Sequence, residues 1–346
     1  MTRNPLKLLP SLCLGLLLCC AATSCTGGLV EEAIAPDDEA ELIALRFNTP
    51  ALGLSTRAVT TAPLPEGSTV RIAAYRRAEV GTLGAEVDFA TTQPYAEATY
   101  VTDASGNLSP CTVDEFGRLT SSTGTGLAVS SGVFDFYAVS PARPLAQGGG
   151  TWQISGIPHQ EDVMASATRS VTITHVSRQV ALTSFIRKCA QVVFTVSPPT
   201  GADAVLPDNL KATALTLTLF STSGASLTAG SDIVPTGGDA TPAGTLTFTE
   251  SDFVPVASGS DPNNLGLNQA SRVVLPKDAT PFDLSVTVTH NSKVETLAAT
   301  GVGAIALEAG KRYIFILEVA SDRCLLTLNV VDWIPVNLTD NNVGGK

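Results

Sequence analysis

This sequence predicts an all-β protein built from two tandem β-sandwiches. Three observations carry the prediction. Apolar and polar residues alternate with period two in many short runs, the signature of half-buried strands. Gly and Pro, 29 and 21 in 346 residues, cut those runs apart. Runs with apolar residues at helical spacing are almost absent, which leaves sheet packed on sheet as the architecture. With an N-terminal leader set aside, the length suits two domains of the ordinary ~100–200 residues.

The leader comes first. Arg3 and Lys7 give a positive start, and residues 8–22 form an apolar run dented only by Pro10 and Ser11. Ala22, Thr23 and Ser24 then set three small residues before Cys25. Charge, a short apolar run and small residues make an export signal, too short for a stable membrane span. A cysteine at that junction resembles a bacterial lipoprotein box. The resemblance implies a signal peptide over residues 1–24, acylation of Cys25 and attachment to the cell outer membrane through lipid. An ordinary signal peptide with a chance cysteine is the alternative. Residues 25–41, with six acidic residues and two glycines, read as a tether.

The first sandwich is predicted over residues 42–165. Residues 42–47 alternate, with Ile43, Leu45 and Phe47 on one face and Ala44 and Arg46 on the other. Pro50 and Gly53 break that strand, and Ser55, Thr56, Arg57 and Ala58 follow as a loop. Residues 70–75 form the next strand. Weaker strands are predicted at 87–89, 98–101 and 116–119, with a hairpin loop at 103–107. Residues 132–140 are the strongest strand of this half. Pro141, Pro144 and three consecutive glycines at 148–150 end it in a loop.

The second sandwich is predicted over residues 170–346 with the same grammar. Strands are read at 170–174, 180–185, 190–196, 214–220, 245–248, 271–275, 284–290, 305–307, 313–319, 325–331 and 333–338. Pro198 and Pro199 close the third of these, and Gly224 turns the chain after the fourth.

Charge narrows the function classes. Lys and Arg total 21 against 32 Asp and Glu, a net charge of −11. The leader holds two bases and no acids, so its removal makes the balance more acidic. Nucleic acid wants a basic surface, so it is not a partner here. Attachment to an anionic membrane would have to come from lipid. Of seven cysteines, four lie in residues 1–25. Cys111, Cys189 and Cys324 remain, and core packing in apolar runs fits Cys189 and Cys324 best.

Catalytic and metal signatures are thin. His159, His175 and His290 are the only histidines, and none belongs to a zinc motif. There is no serine nucleophile elbow and no phosphate loop. Asp114 and Glu115 are a lone acidic pair in a predicted loop, without a second acid to face them. Asp261 to Asn264 fails the calcium-loop spacing because Leu265 stands where a ligand is needed. No catalytic residue, metal or cofactor is predicted.

Several stretches taken in order now resemble one family. The lipobox and tether lead into a short strand and the Ser55–Ala58 loop, then Pro65-Glu-Gly-Ser-Thr-Val-Arg-Ile72. Phe136-Tyr-Ala-Val-Ser-Pro141 and Glu161-Asp-Val-Met-Ala165 follow. Phe185, Arg187, Cys189, Ala190, Val192 and Phe194 come next, then Leu307-Glu-Ala-Gly-Lys-Arg-Tyr313 and Asp332-Trp333. This order is similar to the fimbrillin-like lipoproteins of Bacteroidales, the subunits of donor-strand pili. It departs in having Arg187 where many members carry histidine.

The resemblance implies transthyretin-like, Greek-key sandwiches and a mechanism of assembly. Members are processed as lipoproteins, then cut after an arginine by an arginine-specific protease. The matching position is Arg57, with Arg46 as runner-up because it sits within a strand. A cut after Arg57 would release the strand carrying Leu42, Ile43, Leu45 and Phe47 along with the lipid. Another fimbrial subunit would then fill the groove by strand addition, with residues 336–343 as the donor. The implied product is a structural or tip subunit of a fimbrium serving adhesion. The alternatives are a lipid-retaining fimbrial anchor and a surface glycan-binding lipoprotein. An enzyme would need facing carboxylates that the sequence does not offer.

Overall fold

The computed structural model describes residues 41–53, 62–78, 84–197, 210–220, 224–235, 244–255, 268–319 and 324–333. The leader, Cys25, almost all of the tether, Arg57 and residues 336–343 lie outside that set. The described chain is all-β, with one three-residue 3-10 turn at Glu250–Asp252.

Period-two patterning builds a six-stranded antiparallel sheet in the first half. Its order is Ile186–Arg187, Met164–Ile173, Gly132–Ser140, Thr69–Arg76, Ala96–Thr102, Leu108–Pro110. Val70, Ile72 and Ala74 line one face beside Phe134, Phe136 and Ala138. A second, patchier layer closes over them, made of residues 43–52, Ala128–Val129 and residues 179–185. The opposite face of the sheet is also covered. Ala73, Tyr75, Tyr137 and Val139 pack there with Phe89, Ile154, Ile157 and Leu227. Gly132–Ser140 is therefore a central strand buried on both faces, which is why it lacks a polar face.

The second half is a sandwich of two sheets. One runs Val254–Pro255, Asn268–Val274, Ala190–Ser197, Lys311–Val319, Cys324–Asp332. The other runs Gly244–Thr249, Lys211–Phe220, Lys277–His290, Lys293–Leu307. Val192, Phe194, Leu217, Phe248, Val286 and Phe315 fill the space between them, with Phe194 and Phe315 stacked 4.7 Å apart. Ala190–Ser197 and Lys311–Val319 pair in parallel, across more than a hundred residues of chain.

Two expectations about organisation are corrected. The boundary predicted between 165 and 170 falls inside one strand, Met164–Ile173, which pairs with Gly132–Ser140 on both sides of a bulge at Arg169 and Ser170. The first half keeps the chain until Ile186–Arg187 and yields it at Ala190–Ser197. The halves are also not independent. Thr151–Ile157 pairs with Ala225–Thr228 in a four-stranded sheet that joins them. The described residues form one unit.

Two weak strands are corrected as well. Residues 87–89 form no strand, although Val87 and Phe89 are buried. Asp88 accepts from the Ala90 N–H and the Thr91 hydroxyl, which curls the backbone into a turn. At 116–119 the strand starts only at Leu119. Asp114 accepts from the N–H groups of Phe116 and Arg118, and Gly117 takes a φ of 76° to close that turn.

Candidate functional site: a segment seated in the first sandwich

Residues 42–47 alternate as their pattern requires. Ile43 and Leu45 are 5% and 8% exposed, while Leu42 is 62% exposed and Arg46 faces solvent. Phe47 is half-buried and meets Tyr100 and Phe136 edge-on, with centroids 5.3 and 6.1 Å away. Each apolar side chain enters the core already built by Val70, Ile72, Leu127, Phe134 and Phe136.

The backbone is held on both edges, but in short steps. Ile43–Ala44 pairs antiparallel with Ala128–Val129, and the Leu45 N–H donates to the Leu127 carbonyl at 2.9 Å. The Arg46 N–H then turns the other way and donates to the Arg178 carbonyl at 3.0 Å. Arg46–Phe47 pairs in parallel with Gln179–Val180. Each run is two residues long.

The seated stretch reaches further than the breakers at Pro50 and Gly53 suggested. Asn48 Oδ1 accepts from the Leu182 N–H at 2.8 Å, standing in for a ladder bond. The Pro50 carbonyl accepts from the Leu64 N–H, so proline's missing donor is never called on. Ala51–Leu52 pairs antiparallel with Ala62–Pro63, and Leu52 is 2% exposed. The Phe185 N–H donates to the Ala51 carbonyl at 2.7 Å, and the Gly53 N–H to the Phe185 carbonyl at 2.8 Å. Gly53 is needed for that approach: a Cβ there would lie 2.6 Å from Ser184 Cβ.

The groove has its own supports. Tyr100 Oη accepts from the Leu127 N–H at 2.7 Å, fixing the strand that receives Leu45. Burial pushes the Tyr100 phenol above its ordinary range, against that hydrogen bond, so it stays neutral. Behind the sheet Asp135 is fully buried and accepts from four donors. These are the Ser170 and Val87 N–H groups and the Arg77 and Arg169 guanidiniums, at 2.8, 3.0, 2.8 and 2.9 Å. Burial works against its charge, but the four donors outweigh it and hold the carboxyl below the usual carboxylate range.

The other candidates fall to structural roles. His290 is buried against Glu295 at 3.0 Å, His159 Nδ1 accepts from the Leu275 N–H, and His175 is exposed. Asp114 is spent on its turn. No cluster of three His, Cys, Asp or Glu side chains suited to a metal occurs among the described residues. Cys189 is fully buried and burial pushes its thiol up to about 12; Cys111 is buried too. Arg46 is the one predicted cleavage residue within the described chain, and its peptide unit is engaged by Arg178. Arg57 falls in the connection between Ala51–Leu52 and Ala62–Pro63.

The sequence matches the model of a fimbrillin-like family over residues 47–336. No curated protein sequence matches. Solved structures do. A protein of Bacteroides ovatus provisionally assigned to cell adhesion is 18% identical with a TM-score of 0.56, over 86% of this chain and 100% of that one. A second such protein, from Bacteroides fragilis, is 19% identical with a TM-score of 0.53, over 86% and 100%. A fimbrial protein of Bacteroides vulgatus is 12% identical with a TM-score of 0.50, over 85% and 99%. At these identities the structures show a shared fold. The family match covers most of the chain and includes the seated segment from Phe47 onward, and on that ground the chain belongs to the fimbrillin-like family.

Proposed function

We propose that this protein is a subunit of a cell-surface fimbrium serving adhesion, assembled by strand exchange at the seat of residues 42–53. The precursor is exported and acylated at Cys25 by lipoprotein-processing enzymes. An arginine-specific protease cuts after Arg57. Lipid, Leu42, Ile43, Leu45, Phe47 and Leu52 leave together, and a strand from another fimbrial subunit takes their place.

One observation carries this reading. The seated segment completes a core with its side chains while its backbone is held in two-residue steps. Its departure would expose an apolar groove and unpaired backbone on both flanks, a demand that a donor strand meets. Burying side chains of the size of Ile43, Leu45 and Leu52 contributes about 1.5–3 kcal/mol each. Residues 336–343, extended back by two, repeat the spacing of the segment they would replace. Ile334, Val336, Leu338 and Val343 fall at the intervals of Ile43, Leu45, Phe47 and Leu52. Arg46 suits the cut poorly, because a protease must draw its substrate into an extended, accessible form. The Arg46 peptide unit is already bonded to Arg178 and lies between two neighbours.

A second reading has its own support. The segment is flanked on both edges, so a lipid-retaining anchor subunit would keep it for good. Glycan binding finds less support, since Trp333 is 9% exposed. N-terminal sequencing and mass spectrometry of the surface-exposed form separate these. The proposed route gives a start at Ala58 and higher-order ladders that the Arg57→Ala variant loses. Acylated Cys25 on every copy would leave the anchor.

A further inference from the structure

Trp333 ends the last described stretch, one residue before Ile334, where the spacing match begins. The ladder between Lys311–Val319 and Cys324–Asp332 stops at the pair Lys311 and Asp332. One further bond continues the hairpin, to Gly310, and the remaining hold on Trp333 comes from elsewhere in the molecule. The guanidinium of Arg187 lies over the Trp333 ring, 4.2 Å from its centre. Arg187 Nη1 also donates to the Trp333 carbonyl at 3.3 Å, across 146 residues of sequence. Arg187 itself is aimed by Asp162, whose Oδ2 accepts from Nε at 2.9 Å. The backbone is tied to the same place. The Trp333 N–H donates to the Gly310 carbonyl, and the Gly310 N–H donates to the Cys189 carbonyl, each at 2.8 Å.

Both ties lead to residues 187–189, the crossover where the chain leaves the first sheet for the second sandwich. Arg187 belongs to the edge strand Ile186–Arg187 of the first sheet. A planar cation that stacks on a ring and donates to the same residue's carbonyl fixes both the position and the rotation of that residue.

We propose that Arg187 is a positioning residue for assembly: it clamps Trp333 to the edge of the first sheet and so sets the point and direction in which the following segment leaves the subunit. The inference rests on the donor reading above. Ile334 follows Trp333 directly in the sequence, so the point at which the clamp holds Trp333 is the point from which the donor segment starts. The angle between successive subunits is then fixed by Arg187 in the donor rather than by the groove alone.

The test uses the full chain, processed and assembled, with Arg187→Ala and Arg187→Lys compared to wild type. Lysine keeps the charge beside Asp162 but cannot stack and reach the carbonyl together. In a Trp152→Phe background Trp333 is the sole tryptophan, and its emission shifts to the red in Arg187→Ala. Electron microscopy of the assemblies then shows a regular subunit-to-subunit angle in wild type and a broadened one in Arg187→Ala, with Arg187→Lys between. Arg187→Ala leaves the partly buried Asp162 carboxylate without its cation, so the unassembled variants are compared by unfolding midpoint, and Arg187→Ala combined with Asp162→Asn, which removes that charge, broadens the angle as Arg187→Ala does. Wild type and Arg187→Ala assembling with the same angle would overturn the clamp alone. Wild type failing to assemble would overturn the donor reading and with it the purpose of the clamp, whatever the tryptophan emission does.

Discussion

Gly132–Ser140 and residues 42–53 send side chains into the same core, Phe134 and Phe136 from one and Ile43 and Leu45 from the other. Their backbones are held in opposite ways. Gly132–Ser140 has long ladders on both sides, apolar cover on both faces and Asp135 locked by four donors. The seated segment pairs in twos, changes partner between Leu45 and Arg46, and leaves Leu42 and Arg46 in water. The difference teaches that a side chain's burial says little about whether its backbone is committed. A strand can complete a core while its backbone is bonded only in short runs.

The largest effect should come from the committed strand. Asp135→Ala leaves Arg77, 7% exposed, without its carboxylate and is expected to cost about 3–5 kcal/mol in urea unfolding. The same carboxyl predicts a pH dependence. Its native value lies below the unfolded one, so its contribution is complete above the unfolded range near pH ~4 and is lost as pH falls through the lower native value. Asp135→Asn should flatten the acid arm of stability against pH. An unchanged acid arm would mean that the four donors do not set the charge.

The seated segment should give smaller numbers. Leu45→Ala in the full chain is expected to cost about 2–3 kcal/mol, below Phe136→Ala at about 3–5 kcal/mol. Equal costs would erase the contrast between the two strands. Hydrogen exchange at the Leu45 and Arg46 amides should be faster than at Phe136 and Ala138, since short ladders open locally. Gly53→Ala is expected to cost about 1–3 kcal/mol by forcing residue 53 away from Ser184, read as a lower thermal midpoint of the full chain. The smallest effect is Tyr100→Phe, about 1 kcal/mol, because it orphans the Leu127 N–H without disturbing the ring contact with Phe47.

Much of this was legible in the sequence, for local reasons. The alternation at Ile43, Leu45 and Phe47 needs only a pleated backbone and one apolar side, and the structure shows that pattern. The strength of residues 132–140 was equally plain. Leu52 was missed because Pro50 and Gly53 look like an ending. They lie in a stretch that stays bonded through Asn48 Oδ1, the Pro50 and Ala51 carbonyls and the Asn48 and Gly53 N–H groups. Thr151–Ile157 was missed because three glycines precede it and its partner lies at Ala225–Thr228. The 15-residue strand Lys293–Leu307 was read only at its end, since its alanines and glycines blur the alternation.

The amino-acid order by itself determined that this chain is all-β, where most strands fall, and which side of residues 42–47 faces inward. Family membership was readable there too, from motifs whose spacing survives without any contact being known. Tertiary structure alone decided that Met164–Ile173 stays with the first sheet, that the halves share a core, and that Arg187 meets Trp333. The physical reason is range. Side-chain alternation is set by neighbours two residues away, whereas the choice of pairing partner is made by loop closure and burial summed over the whole chain.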